Sequence, residues 1–155
     1  MKSIAKIFLL LTILPYTNSV YAFSDKCDDK IKHQLVAAKN GSLIDQYTLG
    51  YEYYKGICVT KNLEESAKWF EMLANRGSKD AMYWLFLVYG KVDHSTWNEK
   101  KGKYWLLKAG KAGSIRAYRV LRDVYKHGSL GFPKDEKKYK YWDKMWQENK
   151  HLLYK

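Results

Sequence analysis

The sequence predicts an all-α fold, an α/α solenoid of antiparallel helix pairs with about seven helices, in which three repeats follow an N-terminal capping helix. Three observations predict it. Gly41, Gly77 and Gly113 stand 36 residues apart, and the same offset relates Leu49, Leu85 and Leu121 and relates Tyr53, Tyr89 and Tyr125. Trp69 and Trp105 share that period, while Trp142 follows at 37, a slip of one residue. Between these landmarks the apolar residues recur at helical spacing. One helix pair of this length cannot bury its apolar stripe alone, so stacked copies are expected to share a continuous core.

At the N-terminus, Lys2 and Lys6 precede an apolar run from Ile7 to Pro15, and Val20 and Ala22 occupy the −3 and −1 positions of a cut before Phe23. That three-part pattern is a secretory signal peptide over residues 1–22. The run is too short to cross about 30 Å of hydrocarbon. Residues 23–155 are therefore expected as one mature domain, in a periplasm or released from the cell. A capping helix over residues 25–40 carries Ile31, Leu35 and Ala38 on one face, and Gly41 stops it. A shift of 36 lays His33 under Trp69 and Ala38 under Ala74, the mark of a degraded half-repeat.

The repeats are expected at residues 41–76, 77–112 and 113–150. In the first, a helix A over Ser42 to Lys55 leads through a turn to Asn62, an N-cap for helix B over Leu63 to Asn75. Leu63, Ala67, Phe70 and Ala74 give helix B its buried stripe. The second repeat places Ala81, Leu85, Val88 and Tyr89 on helix A and Trp105, Leu106 and Ala109 on helix B. Its turn, KVDHSTW, lacks a glycine. The third carries Ala117, Leu121 and Tyr125, then HGSLGFPKD, where Pro133 excludes a helix and Asp135 caps the next one. Tyr139, Trp142, Trp146 and Asn149 line one side of that last helix.

Charge is divided unevenly. Residues 23–99 hold 10 Lys or Arg against 11 Asp or Glu, whereas residues 100–155 hold 16 against 5. Such an excess suits a nucleic acid. An exported chain seldom meets one, so an acidic protein or an anionic envelope surface is the expected partner class, with a solvated lysine-rich face as the plainer account. Cys27 and Cys58 are the two cysteines. In an exported chain such a pair is expected as a disulfide between the cap and the first repeat.

At Tyr53xxGly56xCys58ValxxAsn62, SerAla67xxPhe70 and Ala74xxGly77xxxAla81xxxLeu85xxxTyr89, the chain resembles the Sel-one-like repeat, a relative of the tetratricopeptide repeat, over roughly residues 41–150. The chain departs from the family pattern at several positions. Cys58 occupies the second glycine of the family's GxG turn, and Phe86 and Arg122 replace the glycine that Gly50 keeps. The loss of that glycine implies looser packing or a side chain thrown to the surface in the second and third repeats. Lys103 and Tyr139 stand where Ala67 does. The resemblance implies an adaptor that binds protein segments along a concave face of A helices. Some short, exported bacterial members resemble immunity proteins that neutralise a toxin delivered to the periplasm.

By analogy with tetratricopeptide solenoids, that face would present Tyr47, Tyr51, Tyr54 and Lys55 from the first repeat, Tyr83 and Leu87 from the second, and Arg116, Arg119, Asp123 and Lys126 from the third. It grades from aromatic to cationic. Tyrosine and arginine bury wide area at low entropic cost, which favours them as interface anchors. The repeated aromatics Tyr53, Tyr89, Tyr125, Trp69, Trp105 and Trp142 are expected in the core, and Trp84 and Trp97 are lesser binding candidates. Catalysis has little support. His33, His94, His127 and His151 are scattered without paired ligand spacing, and the mature chain has no GxSxG or SxxK. No metal or cofactor is expected. The readings are then an immunity-type binding protein, an envelope adaptor or virulence scaffold using the basic half, and, with least support, a hydrolase on a repeat scaffold.

Overall fold

A computed structural model of the chain describes residues 17–154. Its elements are α1 (Thr17–Lys39), α2 (Leu43–Lys55), α3 (Leu63–Asn75), α4 (Lys79–Tyr89), α5 (Glu99–Lys111), α6 (Ile115–His127), α7 (Glu136–Asn149) and a short 3-10 helix over Lys150–Tyr154. There is no strand among the described residues. Each helix packs chiefly on its neighbours in the chain, so α2/α3, α4/α5 and α6/α7 are antiparallel pairs stacked in order with α1 against the first. The apolar leader from Ile7 to Pro15 lies outside the described residues. The capping helix is longer than expected, because α1 begins at Thr17 and its backbone runs across the anticipated cut after Ala22.

The 36-residue beat is a beat of helix ends. Gly41, Gly77 and Gly113 have φ of 96°, 89° and 88°, the left-handed conformation that glycine adopts without a Cβ penalty. Each turn repeats the same two bonds. Gly77 and Ser78 N–H donate to Ala74 and Leu73 carbonyls at 3.0 and 3.1 Å, and Gly113 and Ser114 donate to Gly110 and Ala109 at 3.0 and 2.9 Å. Ser42, Ser78 and Ser114 then cap α2, α4 and α6, each Oγ accepting from the backbone N–H three residues on. Asn62, Asn98 and Asp135 do the same for α3, α5 and α7. The recurring tyrosines owe part of their period to the backbone: Tyr53, Tyr89 and Tyr125 carbonyls accept from the amides of those three caps at 2.9, 2.8 and 2.9 Å. The interval from tyrosine to cap is one residue longer in the third pair, which places the slip before Trp142 in that turn. In the glycine-free turn of the second pair, Thr96 Oγ1 donates to the Val88 carbonyl at 2.7 Å, and His94 Nδ1 lies 3.3 Å from the same oxygen.

The core is not continuous to the first helix. Phe70, Leu85, Leu106 and Leu121 are fully buried members of a main core that runs from Leu63 to Trp142. Ile31, Ala38 and Leu49 form a separate small cluster under α1, backed by Tyr53 and Trp69. Polar side chains account for the division. Gln46 and Glu52, 1% and 2% exposed, face α1 where the later pairs have Met82 and Val88, then Tyr118 and Val124. Gln46 Nε2 donates to the Ala38 carbonyl at 2.9 Å, and Lys30 forms an ion pair with Glu52. Cys27 and Cys58 are joined as a disulfide with Cα atoms 4.9 Å apart, which ties α1 to the turn before α3.

The second pair is not loosened by losing its glycine. In the first pair Gly50 backs on to Phe70, and a Cβ there would lie 2.9 Å from the ring. In the second pair the bulk has changed sides: Phe86 is 7% exposed, and Gly90 and Gly102 supply the room, so closely that a Cβ on Gly102 would lie 2.8 Å from Gly90 Cα. Arg122 does move outward, but it is held. Its guanidinium sits 2.7 Å from Asp123 and 3.9 Å from Asp143, above the Trp146 ring.

Candidate protein-binding face

The common register of α2, α4 and α6 sets their side chains in rows. Tyr47, Tyr83 and Arg119 form one row, Thr48, Trp84 and Val120 the next, and Tyr51, Leu87 and Asp123 a third. Contacts between successive A helices join these rows and the one beside them. Trp84 Nε1 donates to Tyr47 Oη at 2.6 Å, and Arg116 meets Asp80 at 3.1 Å across the gap from α6 to α4.

Trp84, a lesser candidate in the sequence, is the hub of the aromatic half. The rings of Tyr51 and Tyr54 stand edge-on to it at 5.4 and 5.2 Å, and it stacks on Phe70 at 5.6 Å. Tyr47 in turn stands edge-on to Phe70 at 5.7 Å. The three tyrosines are thus half-buried and fixed, with one side of each left to solvent. Lys55 Nζ lies 5.9 and 5.8 Å from the rings of Tyr51 and Tyr54, at the edge of the wall. Burial, reinforced by Tyr83 and Asp93, raises the Tyr54 phenol above its ordinary range, so it remains a neutral donor. Beside Tyr47, an apolar slot of about 300 Å³ is lined by Leu43, Ile44, Thr48, Leu73 and Ser78, with Ile44 79% exposed.

Two candidates sit elsewhere than expected. Tyr83 is 9% exposed and packs on Phe86, so it supports the wall from beneath. Tyr83 belongs to the buried core, whereas its equivalent Tyr47 is only partly buried against it. Lys126 leans toward the ring of Tyr139 on α7 at 5.6 Å, away from the tyrosines. Arg119 is exposed on the open face with no acid paired to it among the described residues, and Arg116 is half-exposed and shares its charge with Asp80. Asp123 is engaged by Arg122. Ile44 and Trp84 were the residues that sequence reasoning undervalued. Their signal was their failure to recur, since the equivalent positions hold Asp80 and Arg116 for one, Thr48 and Val120 for the other. No group of three or more His, Cys, Asp or Glu converges among the described residues, and none of the described helices is long and apolar enough to cross a membrane.

The family profile of the Sel1 repeat matches residues 45–78 and 79–114. A sel1-like repeat-containing protein of Acanthamoeba polyphaga mimivirus is 31% identical over 72 residues, 46% of this chain and 12% of that protein. Among solved structures, a Sel1 repeat protein from Oxalobacter formigenes superposes with a TM-score of 0.66 at 24% identity, over 78% of this chain and 49% of that one. A protective antigen present in uropathogenic Escherichia coli strains, described as displaying an SLR fold, gives 0.68 at 21% identity, over 83% of this chain and 29% of that one. At these identities the structural likeness is one of fold, and this chain spans less than half the length of each relative. The third helix pair lies beyond the matched residues but repeats the same caps. With its glycine turns, its paired helices and this match, residues 45–114 are two Sel1 repeats, part of a helical-repeat scaffold of the kind that typically mediates contacts between proteins.

Proposed function

We propose that the protein binds a segment of another protein along the face of α2, α4 and α6. An apolar or aromatic side chain of the partner seats against Ile44, Tyr47, Tyr51 and Trp84, and partner carboxylates meet Arg119 and Arg116. The observation that carries this reading is the tyrosine wall fixed around Trp84, with Tyr47 in the same row as the exposed Arg119. A rigid aromatic surface loses little entropy on binding, and an exposed guanidinium beside it supplies bidentate recognition of an acid. The sharpest form of the reading is an exported immunity protein that neutralises a secreted toxin or effector. The signal-like leader and the cap disulfide, which favours an oxidising compartment, support export. Capture of partners with the purified chain, followed by titration of Tyr51→Ala and Arg119→Glu, tests the face. Each variant is expected to weaken binding at least about tenfold, and unchanged affinity in both removes the assignment. Protection of cells expressing the captured toxin tests the immunity role. A second reading, an adaptor held at the cell envelope, draws on the charge division between residues 23–99 and 100–155.

A further inference from the structure

The side of the helix pairs opposite the tyrosine wall carries a second pattern. On α5, Lys100, Tyr104 and Lys111 are exposed on the side opposite buried Leu106 and Ala109, with Lys108 laid over the rings of Tyr104 and Trp105 at 5.4 and 4.9 Å, and on α7, Lys137, Lys140, Tyr141 and Lys144 are exposed beside buried Trp142. Tyr104 and Tyr141 are 54% and 56% exposed, each standing edge-on to the tryptophan beneath it at 4.9 and 4.8 Å. The two stripes adjoin. A Cβ on Gly110 would lie 3.0 Å from Trp142, so the last turn of α5 rests on the helix that bears Tyr141. Six lysines on these stripes face two glutamates, Glu136 and Glu148, which are themselves 3.5 and 3.9 Å from Lys140 and Lys144. The equivalent face of α3 is Glu64, Lys68, Met72 and Asn75, so the basic surface is confined to the second and third pairs.

We propose that this face docks on a bilayer rich in anionic phospholipid, lying on the headgroups without inserting a helix. Three properties select lipid over an acidic protein. The lysines are spread along two parallel ridges and not gathered round a slot, which suits a plane of many equivalent phosphates. Their long stems reach past the helix surface while the heads stay hydrated. The two tyrosines stand proud of the same ridges, with the apolar ring and polar tip that suit headgroup depth. Docked this way, the face of α2, α4 and α6 remains turned to water and free for a protein partner. The inference gives the adaptor reading its surface, and it stands independently of the tyrosine wall.

The test measures partitioning of the full chain on to vesicles of roughly one-third phosphatidylglycerol in phosphatidylcholine and on to pure phosphatidylcholine. It reads the ratio of the two, so that any segment preferring a bilayer regardless of charge cancels. The ratio is expected to exceed one by at least about 100-fold at low salt and to collapse near 0.5 M salt. Lys111→Gln and Lys140→Gln should each lower it about fivefold, and the pair about 25-fold. Lys39→Gln with Lys61→Gln, on other surfaces, should leave it unchanged, as should Tyr51→Ala. A wild-type ratio near one overturns the proposal, and if the chain then binds a soluble polyanion such as heparin, the face belongs to acidic polymers instead. Equal losses from the Lys111/Lys140 and Lys39/Lys61 pairs also overturn it, because binding would then follow net charge and not this face.

Discussion

Cys58 joins two opposed effects, and substituting it separates them. Its φ is 57°, in the turn position where the third pair has Leu130 at φ 52° and where the family pattern has glycine. Holding an L-residue there costs about 1–2 kcal/mol. The disulfide from Cys58 to Cys27 closes a separation of 31 residues. In the chain-entropy account such a loop stabilises the folded state by about 3.5 kcal/mol. The net gain from cysteine over glycine is therefore about 2 kcal/mol, available only while the bond is closed. Replacing both cysteines by alanine should lower unfolding stability by about 3.5 kcal/mol. Cys27→Ala with Cys58→Gly should fall about 1 kcal/mol less, or about 4 °C in Tm. Urea denaturation followed by circular dichroism measures both, and amide exchange should show the added opening concentrated in α1. A glycine variant no more stable than the alanine one would refute the backbone argument, and two variants within about 1 kcal/mol of wild type would refute the loop argument.

Other expectations follow from the packing. Lys30→Ala leaves Glu52 buried without its cation and should cost about 2 kcal/mol, discounted because Lys30 is half-exposed. Adding Glu52→Val should recover most of that loss in a thermal melt, and no recovery would mean the pair is not what holds the seam. Trp84→Phe keeps a ring over Phe70 but loses the bond to Tyr47, for about 1 kcal/mol, whereas Trp84→Ala should cost about 3 kcal/mol and weaken partner binding. Gly102→Ala gains about 1 kcal/mol of helix propensity but drives a methyl into the Gly90 backbone, so chemical denaturation should show a net loss of about 1–2 kcal/mol. Burial raises the phenols of Tyr54, Tyr118 and Tyr125, and burial with the Glu71 hydrogen bond pushes Tyr89 up to about 12. The unfolded chain then releases these protons first, so stability is complete below pH of about 10 and falls as pH rises toward 12. A Tm that stays level across that window would contradict it.

The backbone of this fold was largely legible because its signals are local. A glycine forced to positive φ, a serine that caps and a leucine one turn further on act within a few residues, and they recur wherever the same turn is built. Side-chain destinations were less legible because they depend on exchange between positions. Phe86 reads as a defect until Gly90 and Gly102 are set beside it, and Tyr83 reads as an open anchor although its ring is taken into the core against Phe86. The division of the core was hidden for a similar reason. Gln46 and Glu52 look like ordinary surface residues of an amphipathic helix, and only the carbonyl of Ala38 and the ammonium of Lys30 on another helix allow them inside.

Glu52 has a further consequence for how many units can be strung together. A stack of helix pairs grows by laying one apolar end on the next, and its first and last surfaces are where copies of the same chain could join into fibres. In α4 and α6 the equivalent sites are Val88 and Val124, which any similar unit could cover. Under α1 the site is an acid that accepts only a neighbour bringing a matching cation. A neighbour that brings no cation would leave that carboxylate uncompensated, so what can stack at this end is selected by charge.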